Sequence, residues 1–176
     1  IGTDAIMLSG ETAYGKYPVE AVKAMDSIAK EIEPDRDRRE LMIPRKNDIP
    51  AYLAHSTIRA ARELKPDAIV TTTTTGKTGR YLAAHRTIFP VYIKCHSHRV
   101  VREMALSFGI HASFLETKKN KMKIQKAAIQ ELIHQGKLNM DDLIIYIGGR
   151  FGEDAGASFI EISTADKLFL KPRELR

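Results

Sequence analysis

The residues best suited to chemistry stand at 71–80, TTTTTGKTGR, directly after the apolar run DAIV at 67–70. Gly76-Lys77-Thr78 matches the second half of a nucleotide-binding P-loop, whose first glycine lets the backbone turn sharply around a phosphate. Position 71 carries threonine where that glycine belongs, so the standard ATP-hydrolysing loop is not formed. The segment can still hold an anion, because backbone N–H groups and the positive end of a following helix converge on one spot. Thr73, Thr75 and Thr78 add hydroxyl donors, Gly76 permits close backbone approach, and Lys77 adds a charge. An equally good reading makes the threonines a β-branched strand end and Gly-Lys-Thr a helix start; the pattern leaves both open.

A second candidate is the stretch GGRFGEDAG at 148–156. Its glycines, Gly152 among them, suit a loop, and Arg150 offers a planar, bidentate anion donor. Lys123, near the start of a helical stretch, could point at the same place, although both cations also read as ordinary surface charges. Ligands of doubly wound sheets sit at the carboxyl ends of strands, and both loops follow such ends.

The elements that must position these residues alternate regularly. Helices are expected at 51–64, about 78–86, 98–109 and about 121–136, and strands at 67–72, 90–95, 111–116, 142–147 and 157–163. The last strand follows its neighbour without a helix between them, which suits an antiparallel partner. The fold class is therefore α/β: a three-layer α/β/α domain with a mostly parallel five-stranded sheet.

Ahead of it, AIML at 5–8 reads as a strand and 17–33 as an amphipathic helix with Val19, Val22, Met25 and Ile28 on one face. A charged stretch with prolines at 34, 44 and 50 reads as a linker over 34–50. One strand and one helix bury no core of their own, so residues 1–33 read as the tail of a further domain.

Composition narrows the partners. Of the 176 residues, 43% are hydrophobic and 28% charged, an ordinary globular mixture, and no apolar run approaches a membrane span. The net charge of +6 suits an anionic partner, but the basic residues are scattered and aromatics make up only 7%. Neither the basic stripe nor the stacking platform of a nucleic-acid binder is present. The single cysteine, Cys95, forms no internal disulfide, which fits a reducing, cytoplasmic compartment, and it reads as a small buried apolar residue.

The sequence also carries a resemblance. GTDAIMLSGETAYGKYPVEAV, residues 2–22, resembles the last strand and helix of the catalytic (β/α)8 barrel of pyruvate kinase, most densely in MLSGETA and KYP. AIVTTTTTGKTGRYLAAHR resembles the strand and phosphate-binding loop, T-x-S-G-[RK]-[ST], of that family's C-terminal effector domain. The resemblance implies barrel end at 1–33, linker at 34–50 and allosteric domain at 51–176. It implies an effector phosphate site at Thr73, Thr74, Thr75, Gly76, Lys77 and Thr78, with Lys123, Arg150 and Gly152 as further contacts. The family's G-W-R-P-G loop becomes Gly148-Gly149-Arg150-Phe151-Gly152 here, without the tryptophan and proline. The effector is thus left open among fructose 1,6-bisphosphate, ribose 5-phosphate, AMP or none.

By the same resemblance, the whole enzyme transfers phosphoryl from phosphoenolpyruvate to ADP with Mg²⁺ and K⁺, as a cytoplasmic homotetramer. The family's catalytic and metal-binding residues precede this segment, so neither catalytic nor metal residues are expected within it. Two other classes stand beside this one: a stand-alone phosphosugar- or nucleotide-sensing module, and an NTPase with an unusual loop.

Overall fold

We describe residues 3–33, 44–116, 121–149 and 156–169 of a computed structural model. Chain contacts divide the molecule into two units, residues 1–40 and 41–176.

In the second unit, side-chain alternation along the strands builds two separate cores. The strands are β1 (Ala68–Thr73), β2 (Val91–Cys95), β3 (Ile110–Phe114), β4 (Leu143–Gly149) and β5 (Ala157–Thr164). The helices are α3 (Ile49–Leu64), α4 (Lys77–Ala84), α5 (His98–Met104) and α6 (Lys121–His134). Ile69, Ile93, Ile145 and Ile147 face one way, against Ile58 of α3, Leu82 of α4 and Met104 of α5. Ala68, Val70, Ile144 and Tyr146 face the other way, against Ile129 and Leu132 of α6. A side-chain period of two thus sends neighbouring strand residues to opposite helical layers.

The sheet order is β3-β2-β1-β4-β5. β1, β2, β3 and β4 pair in parallel, and β5 runs antiparallel to β4, as its helix-free connection predicts. The expected three-layer α/β/α architecture is therefore the observed one. Chain order carries β2 and β3 to one side of β1 and β4 to the other, so the winding reverses between β1 and β4.

Several element ends differ from the sequence expectation. α5 stops at Met104 rather than near 109, and Gly109 at φ +66° turns the chain into β3. α3 starts at Ile49 with Pro50 in its first turn, so this proline, read as linker punctuation, opens a helix. Gly148 and Gly149 belong to β4 rather than to a loop, and the rest of that loop, 150–155, lies outside the described residues.

The first unit contains α1 (Gly10–Ala13) and α2 (Pro18–Ile32). Residues 5–8, expected as a strand, are irregular, and no strand among the described residues pairs with them. α2 has its expected apolar stripe, yet it buries no residue, and Val19, Val22, Ile28 and Ile32 are exposed. No helix among the described residues is long and apolar enough to cross a membrane.

Candidate effector cradle

The chain leaves β1 and β4 at the same end of the sheet, with Thr71 opposite Ile147. Because the winding reverses between these two strands, a crevice opens beyond their carboxyl ends, the usual ligand position of such sheets. A cleft of about 30 Å³ lies there, lined by the threonines 71–75 and Thr78 on one side and Ile147–Gly149, Gly156 and Ala157 on the other. The cleft is small and partly open, so a larger anion would rest in its mouth.

The threonine run divides by role. The Thr71 hydroxyl donates to the Ile147 carbonyl at 2.8 Å, and the Thr72 hydroxyl shares a 3.1 Å hydrogen bond with the Tyr146 phenol. These two residues stitch β1 to β4. Thr73 begins the loop: its hydroxyl accepts the Gly76 N–H at 2.8 Å, and its carbonyl accepts the His96 N–H at 3.1 Å. A hydroxyl that accepts one bond keeps a proton to donate, so Thr73 can hold the loop and still serve an anion. The Lys77 N–H points at the Thr75 hydroxyl over 3.4 Å, a weak contact that a better acceptor would replace.

Gly76 caps α4 at φ +78°, in the left-handed region that favours glycine. A β-carbon there would lie 2.8 Å from Met104 Sδ and 3.0 Å from Arg80 Nη1. The Arg80 guanidinium donates to the Thr75 carbonyl at 2.8 Å and pins the turn. Gly79, one turn into the helix, brings α4 close to β2: a β-carbon would meet Ile93 Cδ1 at 2.4 Å.

Lys77 is exposed, with its ammonium 5.8 Å from the centre of the Tyr81 ring. The Tyr81 phenol donates to Asp48 Oδ2 at 2.6 Å, while Asp48 Oδ1 accepts the Ala51 N–H at 3.2 Å and caps α3. The Tyr81 hydrogen bond, with smaller help from Ala51 N–H and the Lys77 charge, holds the Asp48 carboxyl below the usual carboxylate range against the opposing effect of burial. The Asp48 bond and burial push the Tyr81 phenol upward. Beside this cluster, Pro50 fills the space next to Gly156, where a β-carbon would lie 2.2 Å from Pro50 Cγ.

Of the residues anticipated from sequence, Thr73, Thr74, Thr75, Gly76, Lys77 and Thr78 meet in this one loop. Lys123 falls within α6, but its side chain lies outside the described residues, as do Arg150 and Gly152. Asp48, Arg80 and Tyr81 were not anticipated. The Asp-Ile-Pro run at 48–50 is a legible helix-start signal, whereas the Tyr81 contact depends on tertiary packing. Cys95 is buried, and burial pushes its thiol up to about 11, in keeping with an inert apolar role.

Comparison with known proteins places this geometry in context. Residues 52–163 match the family described as "Pyruvate kinase, alpha/beta domain". The chain is 37% identical over 171 residues to a pyruvate kinase of Borreliella burgdorferi, covering 94% of this chain and 36% of that protein. It is 32% identical over 174 residues to one of Bacillus licheniformis, covering 97% and 30% respectively. A crystal structure of a pyruvate kinase from Cryptosporidium parvum superposes with a TM-score of 0.76 at 22% identity, over 93% of this chain and 34% of that one. The chain thus spans about a third of the length of these relatives.

Proposed function

The chain belongs to the pyruvate kinase family, and from that premise we propose that it is the C-terminal regulatory portion of such an enzyme. In this reading, Thr73–Thr78 seats the phosphate of a small-molecule effector, with Lys123, Arg150 and Gly152 as further contacts. The observation that carries the reading is the β1–α4 turn itself. Glycine at φ +78° starts a helix there, with Lys77 at its first position and threonine hydroxyls along an open cleft at the switch point. A helix start, amide donors and a cation in one place favour a bound oxyanion.

The intact enzyme would transfer phosphoryl from phosphoenolpyruvate to ADP with Mg²⁺ and K⁺, in the cytoplasm, and as a tetramer. Among the described residues, no group of three or more His, Cys, Asp and Glu side chains is arranged to hold a metal. The chain by itself would turn over no phosphoenolpyruvate. The bare apolar stripe of α2 supports assigning residues 1–33 to the end of a barrel, since a stripe of that kind requires a covering element.

Calorimetric titration of AMP, ribose 5-phosphate and fructose 1,6-bisphosphate tests the cradle. We expect at least one to bind and Lys77→Ala to weaken it about tenfold, the scale of a charge-assisted contact. Undiminished heat in that variant would move the site elsewhere.

A further inference from the structure

We propose that Asp48 sets the strength of the cradle by competing, as a resident carboxylate, with the incoming anion for the charge of Lys77. The inference rests on the phosphate-seat reading above and concerns a residue outside the phosphate loop.

Three contacts define the device. Tyr81 Oη holds Asp48 Oδ2 at 2.6 Å, Asp48 Oδ1 caps α3 through the Ala51 N–H at 3.2 Å, and Lys77 Nζ stands 5.8 Å from the Tyr81 ring centre. The carboxylate is thereby fixed on the side of α4 toward which Lys77 leans. Arg45 is the other cation whose charge is felt in this cluster, at Tyr81.

Capping does not require the negative charge. Asparagine caps a helix as well as aspartate does: its one amide oxygen would keep the Ala51 N–H, and its amide nitrogen, in the place of Oδ2, would donate to the Tyr81 oxygen instead of accepting from it. What aspartate alone adds is a full charge beside the lysine that an effector phosphate would use. With the seat empty, Asp48 and Lys77 offset one another. With a phosphate bound, Lys77 must leave the carboxylate or be shared between two anions. Affinity is thus held below what the loop could deliver, which keeps an effector's release easy.

The size of the effect follows from Coulomb's law. Giving up a lysine's attraction to a carboxylate several ångströms away in water-like surroundings lowers the affinity for the incoming anion roughly threefold, and more where the dielectric is lower.

The test titrates inorganic phosphate, at low ionic strength and neutral pH, into the full chain and four variants. Asp48→Asn should bind phosphate roughly threefold tighter than wild type. Glu63→Gln makes the same charge change near the other end of α3, about 22 Å along the helix, and should leave affinity unchanged. Combining Asp48→Asn with Lys77→Ala should erase the gain relative to Lys77→Ala alone. Equal binding by wild type and Asp48→Asn would overturn the competition while leaving the phosphate seat intact. A gain that persists without Lys77 would show that Asp48 acts directly, which also overturns it. If neither wild type nor Asp48→Asn binds phosphate, the seat itself is wrong and the inference falls with it.

Discussion

The ammonium of Lys94 lies 2.9 Å from Glu131 Oε1, joining β2 to α6 beneath the sheet, and the lysine side chain has no solvent exposure. Gln135 donates to the same carboxylate oxygen at 3.0 Å, which helps to hold it in position. Removing the carboxylate strands a buried cation. Glu131→Ala should cost about 3 kcal/mol, the low end for a broken buried pair, because Glu131 itself stays partly in water. Lys94→Met, which removes the charge and retains the bulk, should cost clearly less. Urea unfolding of both variants checks the order, and equal losses would mean the pair contributes packing rather than charge.

Gly76→Ala combines a left-handed backbone with a clash against Met104. Strain of this kind costs on the order of 1–2 kcal/mol per residue, and overpacking adds to it. The variant should melt several degrees lower and lose effector binding together with stability. A melting temperature equal to that of wild type would mean the turn relaxes without cost.

His85 gives the fold a pH dependence. Burial first, then the charges of His55 and Arg62, lowers its imidazole to about 4, and its ring meets His55 edge-on at 5.7 Å. In the unfolded chain this histidine takes up a proton near 6.5, whereas in the fold it resists until about 4. Stability is therefore full above pH 6.5 and declines as pH falls toward 4, because the unfolded state binds more protons there. Thermal melts of wild type and His85→Phe between pH 7 and pH 5 should show a shallower decline in the variant. Parallel declines would assign the acid sensitivity to other groups.

Much of this fold is legible in the sequence. The apolar runs at 67–70, 90–95 and 142–147 are too continuous for a half-exposed sheet, and they form the three central strands. The position of β4 beside β1 was not legible, because strand order is decided by packing between distant segments. Lys94 was hidden for a similar reason: its place in VYIKC reads as a strand end, and only α6, thirty-seven residues later, supplies its partner. The β1–α4 loop is legible as a group but not in its division of labour. Five like threonines cannot announce that Thr71 and Thr72 bind β4 while Thr73 holds the turn. Asp48 is hard to single out in the sequence because three prolines make 34–50 read as a connector, although Asp-Ile-Pro also begins a helix.

At the far wall of the cleft, a β-carbon on Gly149 would stand 1.9 Å from the carbonyl oxygen of Gly156. Glycine is the one amino acid lacking that carbon, so every missense change in this codon forces the two strands apart. In a collection of sequenced natural variants, this codon should therefore show synonymous changes and almost nothing else.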